Sequence, residues 1–291
     1  MILVTGATGN VGGAVVSALR AAGADMRLAV RSPTPGKAEE TAFDFTDPRT
    51  WDEAFAGVQS LFLVRPPAIG NVKRDLLPAV AAARDSGVEH VVFLSLQGAE
   101  RNKVVPHATV EKWLRMSGLS WTFMRASFFH QNLSTIHAGD VRDRNNILVP
   151  AGRGATAFVD ANDVGAAAAV ALLHPDEHVN RAWTLTGPRA LTYGQVAGIL
   201  TTELGRPIHY RRPGVLRYAR HARKVLGMEW GMVGVTIAIY TAARLGLAAG
   251  LTDEVSTVLG RDPVDFAEFA HRERDIWAPA ARHSPVDVPE T

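Results

Sequence analysis

The 291-residue sequence predicts an α/β fold, a doubly wound parallel sheet followed by a smaller, mostly helical C-terminal domain. Three observations lead there. Short β-rich runs alternate with helical stretches through the first two-thirds of the chain. Several of those runs are almost unbroken apolar, as strands covered by helices on both faces must be. A glycine-rich turn joins the first run directly to the first helical stretch.

The expected strands are residues 2–5, 26–30, 41–45, 61–64, 90–95 and 121–125. Helical periodicity marks residues 11–22, 50–56, 72–86 and 107–117, and Gly23, Gly87 and Gly118 follow three of these as left-handed caps. A further helix over 161–173 takes Asn162 as its cap and stops before Pro175, and a strand over 183–186 follows. Right-handed crossovers then wind helices on to both faces of the sheet. Beyond Pro188 helical patterns dominate, separated by Gly205-Arg206-Pro207 and Arg212-Pro213-Gly214. The domain boundary is placed there, giving residues 1–187 and 188–291. The Pro-rich tail after Ala278 is expected to fray.

Composition narrows the classes of function. Hydrophobic residues make up 47% of the chain and charged residues 21%, which suits a globular protein with a full core. No apolar run reaches the roughly 18 residues of a membrane span. The nearest, residues 231–243, ends at Arg244 and is expected to be a buried or lid helix. The absence of cysteine excludes disulfides, thiolate nucleophiles and cysteine metal sites. Met1-Ile2-Leu3-Val4 runs straight into a strand without a basic leader, so a cytoplasmic location is expected. The pI near 9.1 reflects a net charge of only +2 with no Cys and four Tyr to titrate above neutrality, and nucleic-acid binding is not expected. The ten histidines lack metal-ligand spacing.

Gly6-Ala7-Thr8-Gly9-Asn10-Val11-Gly12 follows a strand and opens a helix, the context in which a glycine motif binds a dinucleotide. Gly6 permits the tight turn, Gly9 lets the backbone approach the pyrophosphate, and Gly12 or Gly13 allows helix–strand contact. The free N–H groups and dipole of the helix start then face the phosphates, and Asn10 can cap the helix or donate to a phosphate. NAD sites place an acid at the end of the second strand, against the ribose 2′-OH. Here Arg31 stands at that end, suited to a 2′-phosphate, with Ser32 beside it and Lys37 within loop reach. NADP(H) is therefore the expected cofactor on a Rossmann domain. Asp44 and Phe45, ending the third strand, would flank the adenine, with Phe45 as an apolar wall.

The chain resembles the NmrA-like, atypical short-chain dehydrogenase/reductase family. The resemblance rests on residues 4–12, Val30-Arg31-Ser32-Pro33, Phe93-Leu94-Ser95, His107-x-x-x-Glu111-Lys112 and Phe128-x-x-x-Asn132-Leu133. Leu259-Gly260-Arg261-x-Pro263 with Phe266, Phe269 and Trp277 extends it over nearly the whole chain. It implies NADP(H) held by the first domain, a substrate-binding second domain, and a family that includes redox sensors beside reductases.

Short-chain reductases carry Tyr-x-x-x-Lys on the helix after the fifth strand and a Ser at that strand's end. Ser95 is present, but His107 and Glu111 fill the i, i+4 positions on one helix face, and Lys112 is turned about 100° away. His107, with an ordinary pKa near neutrality, can serve as proton donor, and Glu111 would orient it or hold the ribose. An acceptor that is already electrophilic needs little acid catalysis, so a quinone-like or conjugated carbonyl substrate is expected. The carboxyl ends of the strands supply its pocket. Pro66 and Pro67 would wall the dinucleotide, and Phe128, Phe129 and Asn132 would face the nicotinamide, a lining that suits a flat aromatic acceptor.

Residues 205–227 carry seven Lys or Arg and no acid. Val215, Tyr218, Ala219, Ala222 and Leu226 recur at helical spacing, with Arg217, Arg220 and Lys224 opposite. This reads as an amphipathic helix with a solvated basic face, or else as an anion site. The leading functional reading is an NADPH-dependent reductase acting on a small molecule, with a homodimer as the expected assembly. The alternative is a non-catalytic NADP(H)-binding redox sensor acting through a protein partner. An isomerase or dehydratase with transient hydride transfer is a third.

Overall fold

The computed structural model describes residues 1–279, and most of the Pro-rich tail expected to fray lies outside them. In chain order the elements begin β1 (Ile2–Thr5), α1 (Asn10–Ala21), β2 (Met26–Val30), β3 (Glu40–Ala42), α2 (Trp51–Phe55) and β4 (Ser60–Leu63). Next come α3 (Val72–Asp75), α4 (Leu77–Asp85), β5 (His90–Leu96), α5 (Pro106–Met116), β6 (Ser120–Ala126) and β7 (Phe128–Phe129). They are followed by α6 (Gln131–Ser134), α7 (Ala138–Arg144), β8 (Asn146–Ile147), β9 (Ala155–Val159), α8 (Ala161–Leu173), α9 (Pro175–His178) and β10 (Arg181–Leu185). The remainder holds β11 (Ala190–Thr192), α10 (Tyr193–Leu204), β12 (His209–Tyr210), α11 (Val215–Lys224), α12 (Trp230–Arg244), α13 (Glu254–Leu259) and α14 (Phe266–Arg272).

Seven parallel strands form one sheet in the order β3-β2-β1-β4-β5-β6-β10, the doubly wound arrangement expected. Successive residues of the inner strands feed opposite faces, as the strand period of two requires. Leu3, Leu61, Leu63, Val91, Phe93 and Phe123 pack with Phe55, Val80, Val110 and Leu114 from α2, α4 and α5. Val4, Phe62, Val92 and Met124 pack on the other face with Val15, Leu19, Val164 and Ala168 from α1 and α8. At Gly165 a Cβ would fall 2.4 Å from the Ala14 Cβ, so α1 and α8 meet at a contact that only glycine permits.

Chain contacts divide the protein into two compact units. The first comprises Met1–Gln131, Thr156–Ala190 and Ala248–Phe266, and the second Asn132–Ala155, Leu191–Leu247 and, among the described residues, 267–279. The late segment of the first unit is clipped to α8 by Asp163. This fully buried carboxylate accepts from Arg261 Nη2 (2.6 Å) and from the Val264 N–H (2.7 Å). The Leu259-Gly260-Arg261-x-Pro263 motif therefore has a structural use. In the second unit Tyr240 packs against Tyr218 and Tyr193, with ring centroids 5.5 and 6.0 Å apart. Its hydroxyl lies 2.8 Å from His137 Nε2, and Asp140 lies 2.7 Å from His221 Nε2. Tyr218 and Ala222 of α11 are buried while Arg217, Arg220 and Lys224 are exposed, as expected; Val215 is exposed, against its expected apolar side. No helix among the described residues is long and apolar enough to cross a membrane.

Several element bounds differ from the expectation, each for a local reason. The third strand stops at Ala42 because Asp44 Oδ1 accepts from both the N–H and the hydroxyl of Thr46 (2.7 Å each), closing a turn. The helix expected over 72–86 breaks at Leu76 (φ −125°), two residues before Pro78, whose ring would clash with a continuous helix. The cap of α8 is Asp160, whose side chain accepts from the Asn162 N–H (2.8 Å); Asn162 itself is not the cap.

Candidate cofactor and active site

The carboxyl ends of the strands in the first unit carry the candidate site. Thr5 ties the ends of β1 and β4 together: its hydroxyl donates to the Phe62 carbonyl (2.8 Å) and accepts from the Val64 N–H (2.9 Å). The chain then turns at Gly6, whose φ of +65° falls in the left-handed region, and the Gly9 N–H closes on the Gly6 carbonyl at 2.9 Å. A Cβ at Gly12 would stand 2.0 Å from that same carbonyl oxygen, so helix and loop meet at a spacing only glycine allows. Helix α1 starts with Gly9 as its cap, without a side-chain hydrogen bond and without an acid in its first turn. Thr8, Gly9 and Asn10 are exposed there while Val11 is buried in the core. Uncapped N–H groups at a positive dipole end, with no carboxylate to compete, fit a dinucleotide pyrophosphate.

Arg31 and Ser32 follow β2 and are exposed beside the cradle strand. Lys37 is paired with Glu40 (3.2 Å), which also accepts from the Thr34 N–H (2.7 Å). Asp44 is engaged in its turn with Thr46, and its carbonyl accepts from the Trp51 indole at 2.8 Å. Phe45 is buried against Phe43, ring centroids 4.8 Å apart, as part of the core. Pro66 is half-buried and Pro67 exposed just past the end of β4.

On the other side of β1, His107 stands in the first turn of α5, its ring stacked 5.9 Å from Phe93 of β5. Its pKa is pushed down to about 4, first by burial and then by the positive charge of Arg65, with Glu111 opposing. Near pH 7 these surroundings favour the uncharged imidazole of His107, whose proton-donor role was expected from an ordinary pKa near neutrality. The Glu111 carboxylate is engaged by other partners. One carboxylate oxygen accepts from Ser95 Oγ (2.7 Å) and Arg125 Nε (3.0 Å), and the other accepts from Arg125 Nη2 (2.7 Å). Arg125 also meets Glu100 at 3.2 Å. Ser95, Glu111 and Arg125 thus form one buried network across β5, α5 and β6, in which Glu111 holds Arg125 where it was expected to orient His107.

Phe128 and Phe129 lie on β7, paired with Phe158 and Val159 of β9, and both are half-buried. Phe128 meets Phe158 edge-on at 6.3 Å, while Phe129 packs on the apolar layer containing Val4 and Ala126. Asn132, on α6, belongs to the second unit. Sequence reasoning missed Arg65 and Arg125. Each is a charged residue at the carboxyl end of an apolar strand, and that was the available signal.

Two buried imidazoles give this unit a pH dependence. His90 Nε2 lies 2.9 Å from the Thr122 hydroxyl, which itself donates to the His178 carbonyl, so Nε2 carries the proton. Burial, with His178 nearby, pushes its pKa down to about 4, as for His107. An unfolded chain binds these protons from about pH 6.5 downward, whereas the folded chain resists until about pH 4. Stability is thus full above pH 6.5 and is lost as pH falls through that window, by roughly 3 kcal/mol per histidine. Urea unfolding at fixed pH values between 7.5 and 4 measures the loss, and a flat profile would mean that both histidines titrate normally.

The NmrA-like family model matches residues 1–215. The chain belongs to the NmrA-like family. It is 33% identical over 283 residues to the NAD(P)H azoreductase of Xenophilus azovorans, spanning 93% of this chain and 96% of that one. It is 31% identical over 292 residues to the (4-alkanoyl-5-oxo-2,5-dihydrofuran-3-yl)methyl phosphate reductase of Streptomyces griseus, spanning 96% of this chain and 100% of the relative. The triphenylmethane reductase of Citrobacter sp., solved as a complex with NADP(H), superposes with a TM-score of 0.81 at 25% identity, covering 94% of this chain and 99% of that one.

Proposed function

We propose that this chain is an NADPH-dependent reductase that delivers hydride to a quinone-like or conjugated carbonyl small molecule. Its place among NAD(P)H-dependent reductases rests on the family, in which named relatives are an azoreductase and a furanone phosphate reductase. The observation that carries cofactor binding is the glycine cradle, where any Cβ at Gly12 would strike the Gly6 carbonyl. When bound, the reduced nicotinamide supplies the hydride. Gly6, Thr8, Gly9, Asn10, Val11 and Gly12 hold the pyrophosphate on the start of α1. Arg31 and Ser32 recognise the 2′-phosphate, with Lys37 free to join them when its exposed pair with Glu40 opens. Asp44 and Phe45 bound the adenine side, and Pro66 and Pro67 the wall beyond β4.

Phe128 and Phe129 supply an aromatic wall for a flat substrate, and Asn132 is the polar candidate beside them in sequence. Ser95, Glu111 and His107 shape the reacting end. With His107 neutral, the final proton reaches the product from solvent, which suits an acceptor that accepts hydride before it is protonated. The protein acts in the cytoplasm, as a homodimer, on a small aromatic or quinone-like molecule.

Titration with NADPH and NADH, followed by absorbance at the nicotinamide band as a quinone and enone panel is added, tests this. NADPH is expected to bind at least tenfold tighter than NADH and to be consumed. Arg31→Asp is expected to abolish that preference, a change of about 1.4 kcal/mol or more. An unchanged preference would remove Arg31 from the 2′-phosphate site. The lack of a phenol acid on α5 favours one second reading, an NADP(H) sensor working through a protein partner. It predicts tight binding, discrimination between NADP+ and NADPH, and no consumption with any acceptor.

A further inference from the structure

We propose that Arg65 is the specificity-determining residue of the acceptor site and that, together with His107, it holds an acceptor oxygen on which reduction leaves negative charge. This rests on the reductase reading above and narrows its substrate class.

The argument begins with where Arg65 stands. It lies two residues past the end of β4, half-buried, and Nη1 donates to the carbonyls of Pro66 (3.1 Å) and Ile69 (2.8 Å). These contacts fix the guanidinium without neutralising it, since every hydrogen bond it makes among the described residues is to a carbonyl oxygen. Arg125, one strand further on, is by contrast saturated by Glu111 and Glu100. Arg65 Nε is enclosed and has no hydrogen-bond partner among the described residues, and the same holds for His107 Nδ1. The two side chains are near enough for the Arg65 charge to depress the titration of His107. Two enclosed nitrogens without partners, on side chains that follow the neighbouring strands β4 and β5, are a costly arrangement unless an oxygen completes it.

The sheet order decides which part of the reaction this pair faces. The 2′-phosphate candidates follow β2, on one side of the β1 cradle, whereas Arg65 and His107 follow β4 and β5 on the other. A dinucleotide laid across the carboxyl ends with its pyrophosphate on α1 then directs its nicotinamide half toward β4 and β5.

The chemistry follows from the charge. A quinone or conjugated carbonyl takes up one hydrogen with two electrons from the reduced nicotinamide, which is left oxidised. The acceptor's π electrons shift on to its oxygen, and a solvent proton then completes the hydroquinone or the saturated carbonyl product. Arg65 stabilises that oxygen most when its charge is greatest, so its effect falls on the transition state. Neutral His107 adds an N–H donor and brings no competing negative charge. A cationic dye gains nothing here, because it enters with like charge beside the guanidinium and leaves neutral.

The test compares wild type, Arg65→Met and Arg65→Lys with menadione and with crystal violet as acceptors, and measures NADPH affinity separately. Arg65→Met is expected to lower kcat/KM for menadione at least 30-fold, with NADPH affinity falling by a much smaller factor through the loss of its bonds to the Pro66 and Pro67 carbonyls, and with crystal violet turnover falling far less than menadione turnover. Arg65→Lys should retain part of the menadione activity. Equal losses for both acceptors, or an NADPH affinity that falls in step with kcat/KM, would overturn the assignment. Calorimetric binding of 2-hydroxy-1,4-naphthoquinone, an anion at pH 7, to the NADP+-loaded protein keeps the idea exposed even without turnover. Arg65→Met should weaken it at least tenfold, and equal affinity in both proteins would overturn the proposal. If wild type binds this anion through Arg65 yet consumes no acceptor, the reductase reading fails while the anion site stands.

Discussion

Replacing Gly12 with alanine is expected to abolish NADPH binding, raising Kd by about 100-fold or more, or roughly 2.7 kcal/mol. The new methyl carbon would stand 2.0 Å from the Gly6 carbonyl oxygen and 2.6 Å from its carbonyl carbon. Backbone cannot step aside as a flexible side chain does, so either the loop lifts off α1 or the helix start unwinds. In both cases the N–H groups that meet the pyrophosphate are displaced. Overpacking of this kind also costs about 1–3 kcal/mol of stability. A control at Gly13 separates the two effects, because a Cβ there would lie 3.6 Å from the Ala7 carbonyl, in ordinary contact. Fluorescence titration with NADPH reads the affinity, and thermal unfolding reads the stability. Gly12→Ala binding NADPH within threefold of wild type would mean that the cofactor does not lie on this loop.

The cradle was legible in the sequence because its determinants are contiguous: a strand, a turn that needs Gly6, and a helix all lie within the first 21 residues. Arg31 was legible for the same reason, since the end of β2 can be read from its apolar run. The Ser95–Glu111–Arg125 network was not. Ser95 and Glu111 are 16 residues apart, and Arg125 lies 14 beyond Glu111 on a different strand, so only the packing of β5 against β6 brings them together. The i, i+4 spacing located Glu111 on the correct face of α5 but could not show which cation would claim it. Arg65 reads in sequence as an ordinary charge ahead of Pro66 and Pro67. Its surroundings emerge only once β4 and β5 are neighbours and its Nε is found without a partner among the described residues. Strand β7 escaped notice because a two-residue strand has no period to detect. The attachment of residues 248–266 to the first unit depends on contacts such as Arg261 with Asp163, 98 residues apart, for which no local pattern exists.

Glu111→Ala is expected to destabilise the first unit by about 3–5 kcal/mol, because it strands Arg125 in a site where the guanidinium has lost its bidentate partner. Glu111 is 3% exposed and Arg125 8%, so water cannot replace the carboxylate without opening the interface between α5 and the sheet. Glu100 offers one remaining contact at 3.2 Å, but its side chain is 35% exposed and cannot supply the second parallel bond. The cost therefore reflects an uncompensated charge more than the worth of the pair itself. Removing both charges together tests that distinction. A Glu111→Leu, Arg125→Met double variant should recover most of the loss, since two apolar side chains of similar size leave no buried ion. Urea unfolding of the wild type, both single variants and the double variant closes the cycle, read from the transition of the first unit. The functional consequence is separate from the structural one. Ser95 donates to Glu111 in the native network, so in the double variant its hydroxyl is released from that bond. A stable double variant with slowed NADPH oxidation would identify the network as the device that positions Ser95. A single Glu111→Ala variant losing less than about 1 kcal/mol would mean instead that Arg125 finds solvent, and that the network does not hold α5 on the sheet.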